Sequence, residues 1–181
     1  MANSKSAYSF AGKKQKPDTH IIVVWVDNEA GVLARVVGLF SGRGYNIESL
    51  AVAEVDQKQN ISRITIVTTG TPQVVDQIKL QLKKLVPVHK VADFKREDKN
   101  VIFKEMALFK LVGNISKRNK ALKACKKYNA VLLDKTSKSY VVQVTALRRE
   151  IDTMSKNLKK LGLVSISRTG AVAMTRGAEV F

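Results

Sequence analysis

Cysteine and histidine are scarce in this sequence, which has one cysteine, Cys125, and two histidines, His20 and His89, among 181 residues. A single cysteine cannot form an internal disulfide, and it is typical of a protein kept in a reducing compartment such as the cytoplasm. Metal sites built from cysteine and histidine need several such residues close together. The sequence therefore predicts a cytoplasmic protein without a metal site of this kind.

Long apolar runs and catalytic signatures are also missing. No stretch approaches the roughly 20 apolar residues that span a bilayer, and the N-terminus has no signal-peptide core. Neither a Walker A motif nor a GxGxxG fingerprint is present. The acids and histidines form no pattern of nucleophile and base, carboxylate pair or metal set. These absences predict a protein that is not an enzyme and has no membrane segment.

The whole chain has a formal net charge of +17. Most of this positive charge lies in the second half of the sequence. Residues 1–19 carry 4 basic and 1 acidic side chains, residues 20–94 carry 8 and 7, and residues 95–181 carry 20 and 7, so the net charges are +3, +1 and +13. Such asymmetry is typical of a surface for nucleic acid, membrane or an acidic protein. A lysine-rich solvated face would give the same composition.

Three segments are expected. Residues 1–19 are rich in Ser, Lys and Ala without helical or strand periodicity, which predicts a disordered tail. Residues 20–96 and 97–181 are each long enough for one small domain. The boundary is placed near residue 97, within a charged connector at 95–104.

The stretch 27–50, DNEAGVLARVVGLFSGRGYNIESL, joins a polar turn, an amphipathic helix and a second turn. Asn28 or Asp27 is the expected N-cap, because their side chains offer acceptors just before the apolar-periodic run. Gly42 and Gly44 are expected to end the helix, since glycine takes the left-handed conformation at little cost. The apolar face should lie on a sheet.

The pattern around this helix is β-α-β-β-α-β, and the same order follows again beyond the connector. In the first half we predict strands at 20–26, 47–56, 61–69 and 88–94, with a second helix from Pro72 to Leu85. In the second half we predict strands at 106–112, 130–133, 140–145 and 163–167, an extended continuation at 169–177, and helices at 116–128 and 147–161. Two helices on one face of a four-stranded antiparallel sheet form a ferredoxin-like unit. The predicted fold class is α+β with two such domains.

The opening stretch also has the residue types for a free amino-acid site. Gly31 lies near a helix N-terminus, where unpaired N–H groups and the positive dipole end suit a carboxylate. The amide oxygens of Asn28 and Asn46 suit an ammonium group. From the residues alone, an alternative interpretation remains. In it, Asn28 is only a helix cap, Gly31 is only part of a loose first turn, and Asn46 is only a turn residue.

The stretch 27–50, the strand SRITIVTTG (62–70) and the segment QLKKLVPVHKV (81–91) together resemble the ACT domain of the regulatory (small) subunits of acetolactate synthase. The segments SRTG (167–170) and TRG (175–177) resemble the ending of the same family. The resemblance covers nearly all of 20–177. It departs from the family's pattern at Lys104 and Glu105, where an Arg-Glu pair is common before the strand.

The resemblance implies a non-catalytic subunit that activates a thiamine-diphosphate-dependent catalytic subunit and confers feedback inhibition by valine. It also implies a homodimer through the ACT domains, with valine held between the DNEAGVL loop of one chain and the GYNI turn of the other. The backbone of the loop would bind the carboxylate, and Asn28 the other polar groups. The residues implied for effector binding are Asn28, Ala30, Gly31, Val32, Leu33, Asn46 and Ile47. Thiamine diphosphate, Mg²⁺ and FAD are expected on the catalytic subunit and no cofactor on this chain.

Two other functions fit the composition. An ACT domain could sense an amino acid for a different partner, although no helix-turn-helix or catalytic domain is attached. A basic ferredoxin-like protein could bind RNA, but the strand at 61–69 lacks the aromatic residues of an RRM. Neither nucleic acid nor membrane is therefore expected as a partner.

Overall fold

A computed structural model of the chain describes residues 16–96 and 98–178. The elements of the N-terminal unit are β1 (Asp18–Asp27), α1 (Val32–Ser41), β2 (Ser49–Asp56), β3 (Ile61–Gly70), α2 (Pro72–Leu82) and β4 (Val88–Lys95). Those of the C-terminal unit are β5 (Val101–Val112), α3 (Ile115–Lys126), β6 (Val131–Lys135), β7 (Ser139–Ala146), α4 (Arg148–Lys159) and β8 (Leu163–Thr175).

Each unit has the βαββαβ order and an antiparallel four-stranded sheet, with strand orders β2-β3-β1-β4 and β6-β7-β5-β8. The predicted α+β fold with two ferredoxin-like units is confirmed. The domain boundary predicted near residue 97 and most of the predicted tail lie outside the described residues. Asp18 and Thr19, assigned to that tail, instead pair with Gly70 and Thr69 at the start of β1.

Strand β1 is buried on both faces, as its nearly continuous apolar run predicts. On one face Ile22, Val24 and Val26 join the core beneath α1 and α2. On the other, Ile21 and Val23 belong to a second cluster, the interdomain core, whose other buried members are Val67, Val101, Ala171 and Ala173. The two units therefore share apolar packing across the open face of the first sheet.

The cover on that open face comes from the ends of β5 and β8, which are longer than the sheet strands predicted from the sequence. The charged connector was expected to run to residue 104, but β5 begins at Val101. Residues 163–175 form one strand, β8; the sequence predicted a sheet strand to 167 and an extended continuation at 169–177, and the structure joins the two into a single paired strand. The added ends pair from Val101↔Thr175 to Glu105↔Ala171 and extend over the first sheet. They form because the apolar outer face of β1 and β3 needs a partner, which is a tertiary requirement. They also occupy the sheet face that an RRM uses for RNA.

The N-cap of α1 differs from the predicted one, whereas the helix ends at Gly42 as predicted. The N-cap is Gly31, in the left-handed region with φ of 86°, and neither Asn28 nor Asp27 caps the helix. At the other end Gly42 is right-handed and Gly44 takes the left-handed conformation, with φ of 68°. The predicted Pro72 does open α2, where the missing N–H is tolerated.

Cys125 lies on α3 with its side chain fully buried in the core of the C-terminal unit. Burial raises the pKa of this thiol to about 11. Since only the thiolate reacts, we expect iodoacetamide at pH 8 to alkylate the folded chain at least about 100-fold more slowly than the chain in denaturant. Mass spectrometry of quenched samples measures both rates, and equal rates would contradict this burial.

Candidate effector site

Three hydrogen bonds hold Asn28, in the turn between β1 and α1, to Asn60 and to Ser62 at the start of β3. The Asn28 N–H donates to the Asn60 carbonyl at 2.7 Å, and the Asn28 side-chain oxygen accepts from the Ser62 hydroxyl at 3.0 Å. Asn60 Nδ2 in turn donates to the Asn28 carbonyl at 3.2 Å. These bonds explain why Asn28 does not cap α1, and they fix its exposed side chain beside the start of the helix.

Gly31 gives the N-terminus of α1 an open approach. A Cβ built at this position would meet nothing within 4 Å. No side chain of the described residues caps the first turn, and the Val32 N–H makes only a long 3.4 Å contact with the Glu29 carbonyl. The first-turn N–H groups and the positive dipole end are therefore accessible to a carboxylate. Ala30 and Leu33 are exposed beside this point, and Val32 is buried beneath it.

The second predicted segment, Asn46 and Ile47, lies at the far end of α1. The Asn46 carbonyl accepts from the Thr68 hydroxyl at 2.7 Å, so the backbone is fixed while the side chain is exposed. Ile47 packs against the core of the N-terminal unit. The backbone here is thus anchored to β3, as it is at Asn28, but six residues further along that strand.

The structure brings the site residues into two groups and separates the groups. Asn28 and Ala30–Leu33 lie at one end of α1, while Asn46 and Ile47 lie at the other. Their anchors on β3, Ser62 and Thr68, are about 20 Å apart at roughly 3.4 Å per residue. This distance is longer than a free amino acid. A site that uses both groups needs a second chain.

Exposed apolar side chains occur on α1 and on β2 of the N-terminal unit. Leu33 and Val37 on α1 are each 37% exposed, and Val52 and Val55 on the edge strand β2 are 45% and 54% exposed. Strand β2 pairs only with β3 in the described sheet and is therefore an edge strand, although its start lies against β8, where the Ser49 hydroxyl accepts from the Ala171 N–H at 3.3 Å. Exposed edges of this kind are surfaces for strand pairing.

A charged network in the C-terminal unit was not predicted from the sequence. Arg168 on β8 donates to both oxygens of Glu105 on β5, at 2.5 and 2.8 Å, and to Asp152 on α4 at 2.6 Å. Hydrogen bonding to Glu105 raises the pKa of Arg168, so the guanidinium stays charged. Glu105 is only 3% exposed. Arg168 lies in the segment SRTG, which the sequence had singled out. Its partners Glu105 and Asp152 are more than ten residues away along the chain, so the segment gave no sign of them.

Metal binding and membrane crossing have no support in the described ranges. No group of three histidine, cysteine, aspartate or glutamate side chains is placed to hold a metal ion there. Within the same residues, every helix is too short or too polar to cross a bilayer.

Comparison with known families matches both units. A model described as "AHAS small subunit-like ACT domain" matches residues 22–90, and one described as "Small subunit of acetolactate synthase" matches residues 104–177. The acetolactate synthase small subunit of Aquifex aeolicus is 38% identical over 165 residues, covering 91% of this chain and 84% of that protein. The small subunit of Mycobacterium bovis is 35% identical over 161 residues, covering 89% and 94%.

A solved structure agrees with these matches. The crystal structure of the acetolactate synthase small subunit from Thermotoga maritima aligns with a TM-score of 0.80 at 28% identity, covering 89% of this chain and 99% of that one. The resemblance seen in the sequence is confirmed. The chain belongs to the acetolactate synthase small subunits, and it is a regulatory, non-catalytic subunit with an ACT domain.

Proposed function

We propose that this subunit activates the catalytic subunit of acetolactate synthase in the cytoplasm and confers feedback inhibition by valine. A small subunit implies a large, catalytic one as its partner, and that partner would hold the thiamine diphosphate, Mg²⁺ and FAD. The observation that carries valine sensing is the uncapped N-terminus of α1, with Gly31 open to solvent beside the fixed side chain of Asn28.

The proposed pose follows from charge and size. The valine carboxylate accepts hydrogen bonds from the N–H groups at Gly31, Val32 and Leu33, where the helix dipole favours an anion. The Asn28 side chain binds the polar groups on the other side. Valine has about eight heavy atoms, and a middling efficiency near 0.7 kcal/mol per atom gives a dissociation constant on the order of 0.1 mM. This affinity suits a free amino-acid pool.

A homodimer through the ACT domains would complete the pocket. Antiparallel pairing of two β2 edges across a two-fold axis places the start of β2 in one chain beside the end of β2 in the other. Asn46 and Ile47 precede β2, and the turn after β2 contains Asn60, which contacts Asn28. Each chain would therefore contribute Asn46 and Ile47 to the pocket at the other chain's Asn28. The exposed Val52 and Val55 support burial of this edge.

A pocket completed by two chains links valine binding to the arrangement of the chains. Valine can shift that arrangement only by its differential affinity for the two states, and the catalytic subunit would respond to the shift. Coupling of this kind requires no catalytic group on the small subunit.

The direct test is reconstitution. Purified small subunit is added to its cognate catalytic subunit, and acetolactate formation is followed while valine, leucine or isoleucine is titrated. We expect higher activity with the small subunit and saturable inhibition by valine at submillimolar to millimolar concentration. Absence of activation would contradict the proposed partner, and activation without inhibition by valine would contradict the proposed effector.

Asn28 and Ser62 give a graded prediction within the pocket. Asn28→Ala should weaken valine binding about tenfold, because a hydrogen-bonding group facing the ligand is removed. Ser62→Ala should weaken it by about two- to threefold, because Ser62 only orients Asn28, through a 3.0 Å bond. Calorimetry with the isolated small subunit measures both. Unchanged affinity in Asn28→Ala would remove this residue from the site.

A further inference from the structure

A cleft between the two units has the features of a second ligand site. Its volume is about 430 Å³, within the usual range for small-molecule pockets. The floor is apolar and includes Ile21 and Val67 from the first sheet and Phe103 and Ala171 from the strands that cover it. Ile21, Val67 and Ala171 belong to the interdomain core, so the floor lies on the sheet face opposite α1. The cleft is therefore separate from the proposed valine site.

The carboxylates that line this cleft already have partners. Glu105 and Asp152 accept from Arg168, at distances of 2.5 to 2.8 Å. Glu48 accepts from the Thr69 hydroxyl at 2.5 Å and lies 3.5 Å from Arg148. The negative charge of the cleft wall is thus largely neutralised within the protein.

The cations on the rim, unlike the carboxylates, mostly lack a partner of opposite charge among the described residues. Within residues 16–96 and 98–178, Arg96, Lys104 and Arg149 form no ion pair. Arg148 Nη1 is buried and has no hydrogen-bond partner among the same residues, since its contact with Glu48 is longer than a good hydrogen bond. The rim therefore has an excess of positive charge above an apolar floor.

A neighbouring polar cavity adjoins this rim. It has a volume of about 650 Å³ and shares Thr19, Arg96 and Arg149 with the cleft; Asp18, Lys95 and Asp98 also line it, so its cations exceed its carboxylates by one. Arg96 follows β4 in the N-terminal unit, whereas Arg149 lies in the first turn of α4 in the C-terminal unit. An anionic group between these two arginines would contact both units at once.

We propose that the cleft binds a small organic anion with an apolar body. The anionic group, a carboxylate or a phosphate ester, lies against Arg96 and Arg149 and takes the free donor of Arg148. The apolar body lies on Ile21 and Phe103 in the floor. Because the ligand bridges the two units, its binding stabilises their present arrangement.

The test uses the full-length chain and defined probes. Calorimetry measures binding of isocaproate and phenyl phosphate, with the uncharged isocaproamide and inorganic phosphate as comparisons. We expect saturable binding of at least one organic anion and at least about fivefold weaker binding of isocaproamide and of inorganic phosphate. Benzoate, which has the same aromatic body as phenyl phosphate, is compared with it to identify the headgroup as carboxylate or phosphate.

Variants locate the binding. Arg96→Gln and Arg149→Gln change exposed side chains, and each should weaken the tighter probe about five- to tenfold. Lys120→Gln on the exposed face of α3 removes the same charge far from the cleft and should leave the affinity unchanged. Equal binding by all variants, equal binding of isocaproamide, or binding of inorganic phosphate as an adventitious ion only would overturn the proposal. Unaltered melting temperatures of the variants without probe confirm that they are folded.

Discussion

Gly31→Asp is expected to abolish inhibition by valine while leaving activation of the catalytic subunit intact. The new carboxylate would occupy the place proposed for the carboxylate of the effector, because the position above Gly31 is open and the first-turn N–H groups have no cap. Aspartate at an N-cap accepts from these same N–H groups. It would also repel the effector by about 1 to 4 kcal/mol at close range, which lowers affinity roughly fivefold to a thousandfold.

A matched control separates this effect from backbone strain. Gly31 has a φ of 86°, and aspartate is among the residues that tolerate the left-handed region. Gly177 also has a positive φ, 74°, with nothing near the position of its Cβ, and it lies in the C-terminal unit. Gly177→Asp adds the same charge and the same strain. We expect it to retain valine inhibition in the reconstituted enzyme. Normal inhibition of Gly31→Asp would rule out the site at α1.

Arg168→Met is expected to have the largest effect on stability, lowering the free energy of unfolding by about 3 to 5 kcal/mol. The substitution leaves the Glu105 carboxylate buried without its partner, since Arg168 supplies both of its ion-pair hydrogen bonds. Native domains are stable by only about 5 to 15 kcal/mol, so much of the total would be lost. Urea unfolding followed by circular dichroism gives the free energy.

Two further variants assign the loss to the buried charge. Asp152→Ala breaks only the more exposed arm of the network, where the carboxylate side chain is 46% exposed, and should cost about 1 kcal/mol or less. The double variant with Glu105→Gln and Arg168→Met has no buried charge and should recover at least half of the loss. A double variant as unstable as Arg168→Met would show that lost packing, rather than the unpaired charge, causes the effect.

Local patterns in the sequence were sufficient to predict the order of the helices and strands. The spacing of apolar residues located the four helices of the described residues, and Pro72 marked the start of α2. The apolar run at 20–26 identified a strand buried on both faces. These signals depend on side-chain periodicity and backbone preference, which neighbouring residues largely decide.

The cap of α1 shows where local reasoning failed. Asn28 is a good capping residue, yet its side chain bonds to Ser62, 34 residues further along the chain. With this acceptor engaged, the helix begins after Gly31 and its first turn has no side-chain cap. The open helix end that suits an effector is therefore a consequence of a long-range contact.

The sequence by itself determined two ferredoxin-like units, a regulatory family and the residues of a candidate amino-acid site, because periodicity and motif are local properties. Only the tertiary structure decided how these parts meet. It separated the site residues into two groups about 20 Å apart along β3. It also extended β5 and β8 over the first sheet and paired Glu105 with Arg168. The physical reason is that burying an apolar sheet face or a carboxylate requires partners distant in the chain.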